Sequence, residues 1–311
     1  MLSRVAERMY WAGRYLERAE NTARLVMVHG HMLLDLPAKA GRTWEQLVTI
    51  FEGHPLFRTY YDEPTEQNVV NFLVADTNNF GSVLASLNHL RENIRTTRDI
   101  VPTEGWQCVN ELYLFAQREL PQSGLERARH DILSQVISRC QELTGLLAGT
   151  MSHGPGYHFM RLGRNLERMD MTSRVLDVPA ASLIHAAEEL ESYRYTLWMH
   201  VLKSVSAYQM YCQYVRRRVI GADVINFLLR DTLFPRSLRR SLGEVSVALQ
   251  ELPRHKAALG ELGLLSDELD SFQSTDMDAG SLHEFLDTLQ TRLDRVHRHI
   301  TRSWFLPVVK Q

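Results

Sequence analysis

The sequence predicts an all-α protein, a helical bundle built from two homologous halves with pseudo-two-fold symmetry, and three observations carry that prediction. Gly and Pro number only 17 and 10 among 311 residues, a sparse punctuation that favours long elements. Apolar residues recur at helical spacing, whereas the alternation and turn pairs of β-hairpins are missing. Two blocks of sequence also occur twice. Residues 10–26 (YWAGRYLERAENTARLV) align without gaps on 160–176 (MRLGRNLERMDMTSRVL), at an offset of 150 (164 − 14). Gly13, Arg14, Leu16, Glu17, Arg18, Thr22 and Arg24 meet Gly163, Arg164, Leu166, Glu167, Arg168, Thr172 and Arg174. Farther on, Asn71-Phe72-Leu73, Asp76-Thr77, Ser82, Ser86 and Leu87 meet Asn226-Phe227-Leu228, Asp231-Thr232, Ser237, Ser241 and Leu242, at an offset of 155 (231 − 76). Two blocks in one order at nearly one spacing are the mark of duplication. The expected division is a first half over 1–149, a Gly-rich linker at 150–156 and a second half over 157–311.

The elements follow in order. Over residues 2–30, Val5, Met9, Ala12, Leu16, Ala19, Ala23 and Met27 fall within about 40° of one direction, the stripe of an amphipathic helix. Further helices are expected at 43–52, 67–98, 105–120, 125–149, 158–176, 181–217, 222–232, 237–251 and 282–303. Breaks fall at Leu36-Pro37, Val101-Pro102, Leu120-Pro121 and Val178-Pro179, because the residue before proline disfavours helix.

Opposite the apolar stripe of the first helix lie Arg14, Glu17, Arg18 and Asn21, with Glu20 and Arg24 on one flank. Tyr10 and Trp11 lie within about 60° of that charged direction, where exposure of large aromatics is unfavourable. The second copy keeps Arg164, Glu167, Arg168, the acid Asp170 and Arg174 in register. A covered ionic network is therefore expected, since buried arginine–carboxylate pairs must satisfy one another or cost several kcal/mol. In that reading Glu17 and Glu167 are held by Arg14, Arg18, Arg164 and Arg168, and the remaining donors face a shared cleft near Arg91, Glu92 and Arg95. The cluster Arg91-Glu92-Asn93 with Arg95 and Arg98 has no second-half counterpart, where the same offset reaches Ser246, Val247 and Ala248.

Thirty-five basic residues against 37 acidic ones give a net charge of −2, which argues against nucleic acid and membrane surfaces as partners. Of the basic residues 31 are Arg and four are Lys, and Arg suits bidentate pairing with carboxylate or phosphate. Cys108, Cys140 and Cys212 form neither a disulfide framework nor a CxxC zinc site, and are read as core. The N-terminus lacks the apolar stretch of a leader and no run reaches the ~18 residues of a membrane span, so a cytoplasmic location is expected.

Glu17/Glu20 and Glu167/Asp170 place paired carboxylates at i, i+3 on two helices, superficially like a dimetal bundle. No Glu-x-x-His accompanies them and the interleaved arginines repel a dication, so neither metal nor cofactor is expected. His283, His297 and His299 lie in a C-terminal helix with no matching acidic set. A phosphate-cradling GxxxxGK loop is missing, so ATP binding by this chain is not expected.

The paired segments Gly13-Arg14-Tyr15-Leu16-Glu17-Arg18-Ala19-Glu20-Asn21-Thr22-Ala23-Arg24 and Gly163-Arg164-Asn165-Leu166-Glu167-Arg168-Met169-Asp170 resemble the alpha-E family, bacterial all-helical proteins with a conserved Glu-Arg motif. Arg91-Glu92-Asn93, Arg95, Arg98, Trp106, Asn110 and Tyr113 extend the resemblance, as do Asn226-Phe227-Leu228-Leu229, Asp231 and Phe234-Pro235-Arg236-Ser237. Departures are small: Ile94 replaces a small residue, and Asn78-Asn79-Phe80 has lost the Pro-Arg of its second-half counterpart. The resemblance implies genomic company with circularly permuted ATP-grasp ligases and transglutaminase-like proteins. It thereby implies an accessory subunit of an ATP-dependent peptide- or amide-forming system. Its Arg/Glu-rich cleft would take an anionic peptide or phosphorylated intermediate. The alternative is a stand-alone helical ligand-binding or scaffold protein.

Overall fold

The computed structural model describes residues 1–35, 43–123, 126–184, 193–272 and 279–306, and among these every regular element is helical. The α-helices, in chain order, are α1 (Ser3–Asp35), α2 (Glu45–Ile50), α3 (His54–Tyr60), α4 (Glu66–Val74), α5 (Val83–Arg95), α6 (Thr103–Glu119), α7 (Glu126–Thr150), α8 (Pro155–Ile184), α9 (Arg194–Ser204), α10 (Tyr208–Val215), α11 (Gly221–Arg230), α12 (Leu238–Gln250), α13 (Lys256–Ser271) and α14 (Ala279–Ile300). No helix among the described residues is long and apolar enough to cross a membrane.

Helices α1 and α8 lie side by side at the centre, with α5 and α7 against α1 and α12 and α14 against α8. Outside them, α6 packs on α5 and α7, and α13 on α12 and α14. The α1–α8 pair is close because each helix presents a glycine to the other's backbone. A Cβ on Gly13 would overlap the carbonyl oxygen of Met160, and one on Gly163 that of Tyr10. Only glycine permits that approach. Of the predicted stripe, Met9, Ala12, Leu16, Ala19 and Ala23 are buried, while its ends, Val5 and Met27, are half-buried against the core.

Several boundaries differ from the sequence expectation. The segment 67–98 is two helices, not one. Asp76 Oδ1 accepts the Asn78 N–H at 2.9 Å, and Ser82 Oγ accepts from Ala85 N at 3.1 Å to cap α5. A turn and a cap placed six residues apart end one helix and start the next. In 181–217 the described residues comprise the end of α8, then α9 and α10, the last two separated where Ser206 adopts φ 54°. Helix α13 falls in a stretch with no predicted element. Helix α8 continues through Pro179 to Ile184, so the break expected at Val178-Pro179 is absent. The prolines at 102 and 121 do mark helix boundaries, while Leu36-Pro37 reaches outside the described residues. Between α7 and α8 the connection is only Met151–Gly154, shorter than the linker expected at 150–156.

Candidate functional site

The charged side of α1 faces protein. Glu17 and Glu20 are 1% and 3% exposed and Arg24 is 3% exposed, so these polar groups lie as deep as the core. The pairing is reciprocal across the two central helices. From α1, Arg14 Nε donates to Glu167 Oε2 at 2.6 Å and Arg18 Nη2 to the same oxygen at 3.1 Å, while Arg18 Nε serves Oε1. From α8, Arg168 grips Glu17 with both prongs, Nε to Oε1 at 3.1 Å and Nη2 to Oε2 at 2.7 Å. Bidentate forks of this kind give direction as well as energy.

Arg236 completes the Glu17 side from the loop before α12. Its Nη1 donates to Glu17 Oε1 and to Asn21 Oδ1 (2.8 Å), and its Nη2 donates to Glu20 Oε1 at 2.6 Å. Arg24 also binds Glu20 and reaches Asn21 Oδ1 at 3.1 Å, and Gln141 Nε2 on α7 donates to Glu20 at 3.2 Å. On the Glu167 side, Arg174 Nε donates to Asp170 Oδ1 at 3.1 Å and its Nη1 meets Glu52 at 2.8 Å.

Titration follows from this arrangement. Burial pushes both glutamates up, but the guanidinium groups outweigh it. Arg168 and Arg236 hold Glu17 well below the usual carboxylate range, and Arg18 and Arg14 hold Glu167 down to about 2. Asp170 behaves oppositely: burial raises it, and its neighbour Arg174 does not fully offset that. Burial also raises the Tyr10 hydroxyl, which accepts from Arg14 Nη1 at 3.1 Å and lies 2.8 Å from His297 Nδ1.

The expected arginine partners are brought together in part. Arg14, Arg18 and Arg168 serve as predicted, but Arg164 does not reach Glu17. Its Nε is buried and without a hydrogen-bond partner among the described residues, and burial lowers its pKa. Arg91, Glu92 and Arg95 do not line the cleft beside Glu167 described below. The apolar side of α5, with Leu87, Leu90 and Ile94, turns to the core, which leaves the charged side partly open and next to α6. There Arg91 Nε donates to Asn110 at 2.8 Å and its guanidinium lies 5.1 Å from the Tyr113 ring. Arg98 sits 4.9 Å over Trp106, and Glu92 bridges Arg91 and Arg95. Asn93 contributes its carbonyl to Thr97 Oγ1. Asp76 and Asp231 also lie outside the network. Each closes a turn, Asp76 with Asn78 N and Tyr61 OH, Asp231 with the N–H groups of Leu233 and Phe234.

A cleft of about 320 Å³ opens beside the Glu167 side. Arg18, Glu167, Asp170 and Arg174 line one wall, and Asn79 and Gly81 belong to the other. On the Glu17 side the Arg236 guanidinium itself lies against the two acids. Sequence reasoning missed three members of this region: Arg236, Tyr10 as a hydrogen-bonding group and His297. The Pro-Arg before Ser237 was the signal available for the first. His283 also corrects the expectation, since Asp177 and Asp287 do stand beside it, their ligand atoms lying within 4.8 Å of one another on the surface. Cys212 is exposed, not core.

Two long central helices joined by reciprocal Glu–Arg pairs define the class: an all-helical domain organised on a buried Glu-Arg motif. The chain belongs to the Alpha-E family, described as a predicted alpha-helical domain with a conserved ER motif, and the family model matches residues 1–305. It is similar to an uncharacterized protein of Mycobacterium bovis, 25% identical over 272 residues that cover 80% of this chain and 30% of that protein. An uncharacterized protein of Mycobacterium tuberculosis matches at 24% identity over the same lengths. The chain thus corresponds to about a third of the length of the curated relatives it matches. No solved structure matches it.

Proposed function

We propose that the chain is two homologous halves fused about the α1–α8 pair, and that it serves as the non-catalytic binding subunit of an ATP-grasp-type peptide- or amide-forming system. The Glu167-side cleft would hold the peptide or amide precursor. One observation carries the reading: the cleft opens directly onto a charge-paired, largely buried network, so a ligand there meets fixed guanidinium and carboxylate groups instead of mobile surface chains. Arg18 and Arg174, each partly exposed beside that cleft, are the groups suited to a carboxylate or phosphoryl oxygen.

Supporting the duplication, α5 and α12 both span 13 residues at an offset of 155, each preceded by an aspartate turn and a serine cap. Supporting the partnership, the matched stretch forms a minor share of each curated relative, as suits a module that works beside other protein. Cys108, Cys140 and Cys212 do not line the cleft. The transglutaminase-like companion implied by the resemblance is a second partner in this reading, and a cytoplasmic setting suits both.

The test is co-purification with an ATP-grasp protein encoded nearby, followed by ATPase and amide-formation assays with and without this chain. The expected result is no ATP turnover by the chain alone and a rise in amide formation when it is added. ATP turnover by the isolated chain, or a ligase indifferent to it, would overturn the proposal.

A further inference from the structure

The two sides of the network differ most in one loop position, where an arginine enters on one side only. At the offset of 155 that aligns Asp76 with Asp231 and Ser82 with Ser237, Arg236 stands opposite Gly81. The local structure keeps this register. Asp76 Oδ1 accepts Asn78 N at 2.9 Å and Asp231 Oδ1 accepts Leu233 N at 2.8 Å. Ser82 caps α5 from Ala85 N and Ser237 caps α12 from Arg240 N, both at 3.1 Å. On the Glu17 side the guanidinium of Arg236 lies against Glu17 and Glu20. On the Glu167 side the aligned position is Gly81, and there the cleft of about 320 Å³ lies against Glu167 and Asp170.

We infer that this cleft is a guanidinium site: a ligand's guanidinium takes the position that Arg236 fills in the other half, with Asp170 as its principal anchor. The inference rests on the duplication proposed above, and it refines that reading by naming the cationic end of the ligand.

The hydrogen bonds single out Asp170. Glu20, aligned with it, receives Arg24, Arg236 and Gln141. Asp170 receives Arg174 alone, on Oδ1, so Oδ2 has no donor among the described residues. Glu167 is served by Arg14 and Arg18 and presents its edge to the same space. A planar guanidinium lying along the two carboxylates would give Asp170 the second donor that Glu20 already has, and burial strengthens such a charge-assisted bond. The volume exceeds what a guanidinium needs, leaving room for the rest of the ligand toward Leu56 and Phe72. Arg18 and Arg174 flank the slot, so a ligand carrying a carboxylate near its guanidinium is also met at that end. That joins this inference to the anionic group assigned to the cleft above.

The experiment is calorimetric titration of the full chain with three probes: agmatine, the blocked tripeptide Gly-Arg-Gly and acetate. Agmatine or the tripeptide is expected to bind the parent protein. Binding by agmatine alone marks a free small-molecule ligand, and binding by the tripeptide marks an arginine side chain. Asp170→Asn, which keeps the shape, should weaken binding about tenfold or more, the effect of losing one charged hydrogen bond. Gly81→Arg should abolish it by filling the slot from within. Gly81 does not adopt a positive φ, and a Cβ there meets only the Asn79 side chain, at 3.2 Å, which must shift slightly to admit it; a melting curve checks that each variant is folded. The inference is overturned if neither cationic probe binds, if a probe that binds the parent binds the variants equally well, or if acetate alone binds. Its outcome is separate from that of the ligase proposal. A guanidinium site can be present in a chain that stimulates no ligase, and a stimulatory chain can lack one.

Discussion

Glu17 and Glu92 each lie between two arginines, yet the two regions are physically opposite. The Glu17 side chain is 1% exposed, with Arg168 and Arg236 at 12% and 11%; that of Glu92 is 41% exposed, with Arg91 and Arg95 at 26% and 47%. The charged residue types are the same, and burial is the main difference. In the core, taking ions from water costs several kcal/mol per charge, which the mutual pairing offsets only while every partner remains. At the surface, water screens both members and the pair adds little. An inventory of Glu–Arg contacts would rank the two alike; their solvation separates them.

The sharpest way to break this contrast is to remove one buried acid. Glu17→Ala leaves Arg168 and Arg236 buried without their counter-charge and is expected to cost about 3–5 kcal/mol in a denaturant melt. A loss under ~1 kcal/mol would place Glu17 in the same class as Glu92. Next in size is Gly163→Ala, because a single methyl there meets the Tyr10 carbonyl and forces α1 and α8 apart. Overpacking of this sort costs about 1–3 kcal/mol, and it should also lower acid resistance by loosening the pairs. Equal melting of parent and variant would show that the helix crossing is not tight.

Acid should act on the buried pairs. Glu17 and Glu167 titrate below their ordinary value of 4.5 in the folded chain. Their pairing therefore stabilises fully above about 4.5 and is lost as the pH falls toward about 2. Asp170 has the opposite sign. Its raised value means that its contribution is full below 3.8 and declines as the pH rises through the folded value, so it partly softens the loss. Melts across pH 5 to 2 are expected to show steep destabilisation in the parent and a shallower slope in Glu167→Gln. Identical slopes would remove Glu167 from the account. The smallest effect is expected from Arg95→Ala, whose partly exposed pair with Glu92 is worth under ~1 kcal/mol.

Much of this was legible in the sequence. The fold class came from helical spacing, and burial of the charged stripe came from Tyr10 and Trp11 beside it and from the repeated Arg, Glu, Arg pattern. What sequence could not supply was partner choice across long separations. Arg236 reaches Glu17 over 219 residues, and nothing local in Phe234-Pro235-Arg236-Ser237 says which acid it meets. Arg164 illustrates the converse, matching Arg14 in sequence yet missing the matching bond. The cluster around Arg91 was misplaced because a charged helix face can turn toward any neighbour, and the aromatics Trp106 and Tyr113 that draw it to α6 lie on another element. The division of 67–98 was missed because an apolar period continues across the Asp76 turn.

A pair of double-mutant cycles tests the central claim most directly, one joining Glu17 with Arg236 and one joining Glu92 with Arg95, each read by urea denaturation. The account predicts a coupling of about 2 kcal/mol or more for the buried pair and under ~0.5 kcal/mol for the surface pair. Equal couplings would contradict it, because the Glu-Arg motif at the heart of α1 and α8 would then be surface pairing by another address.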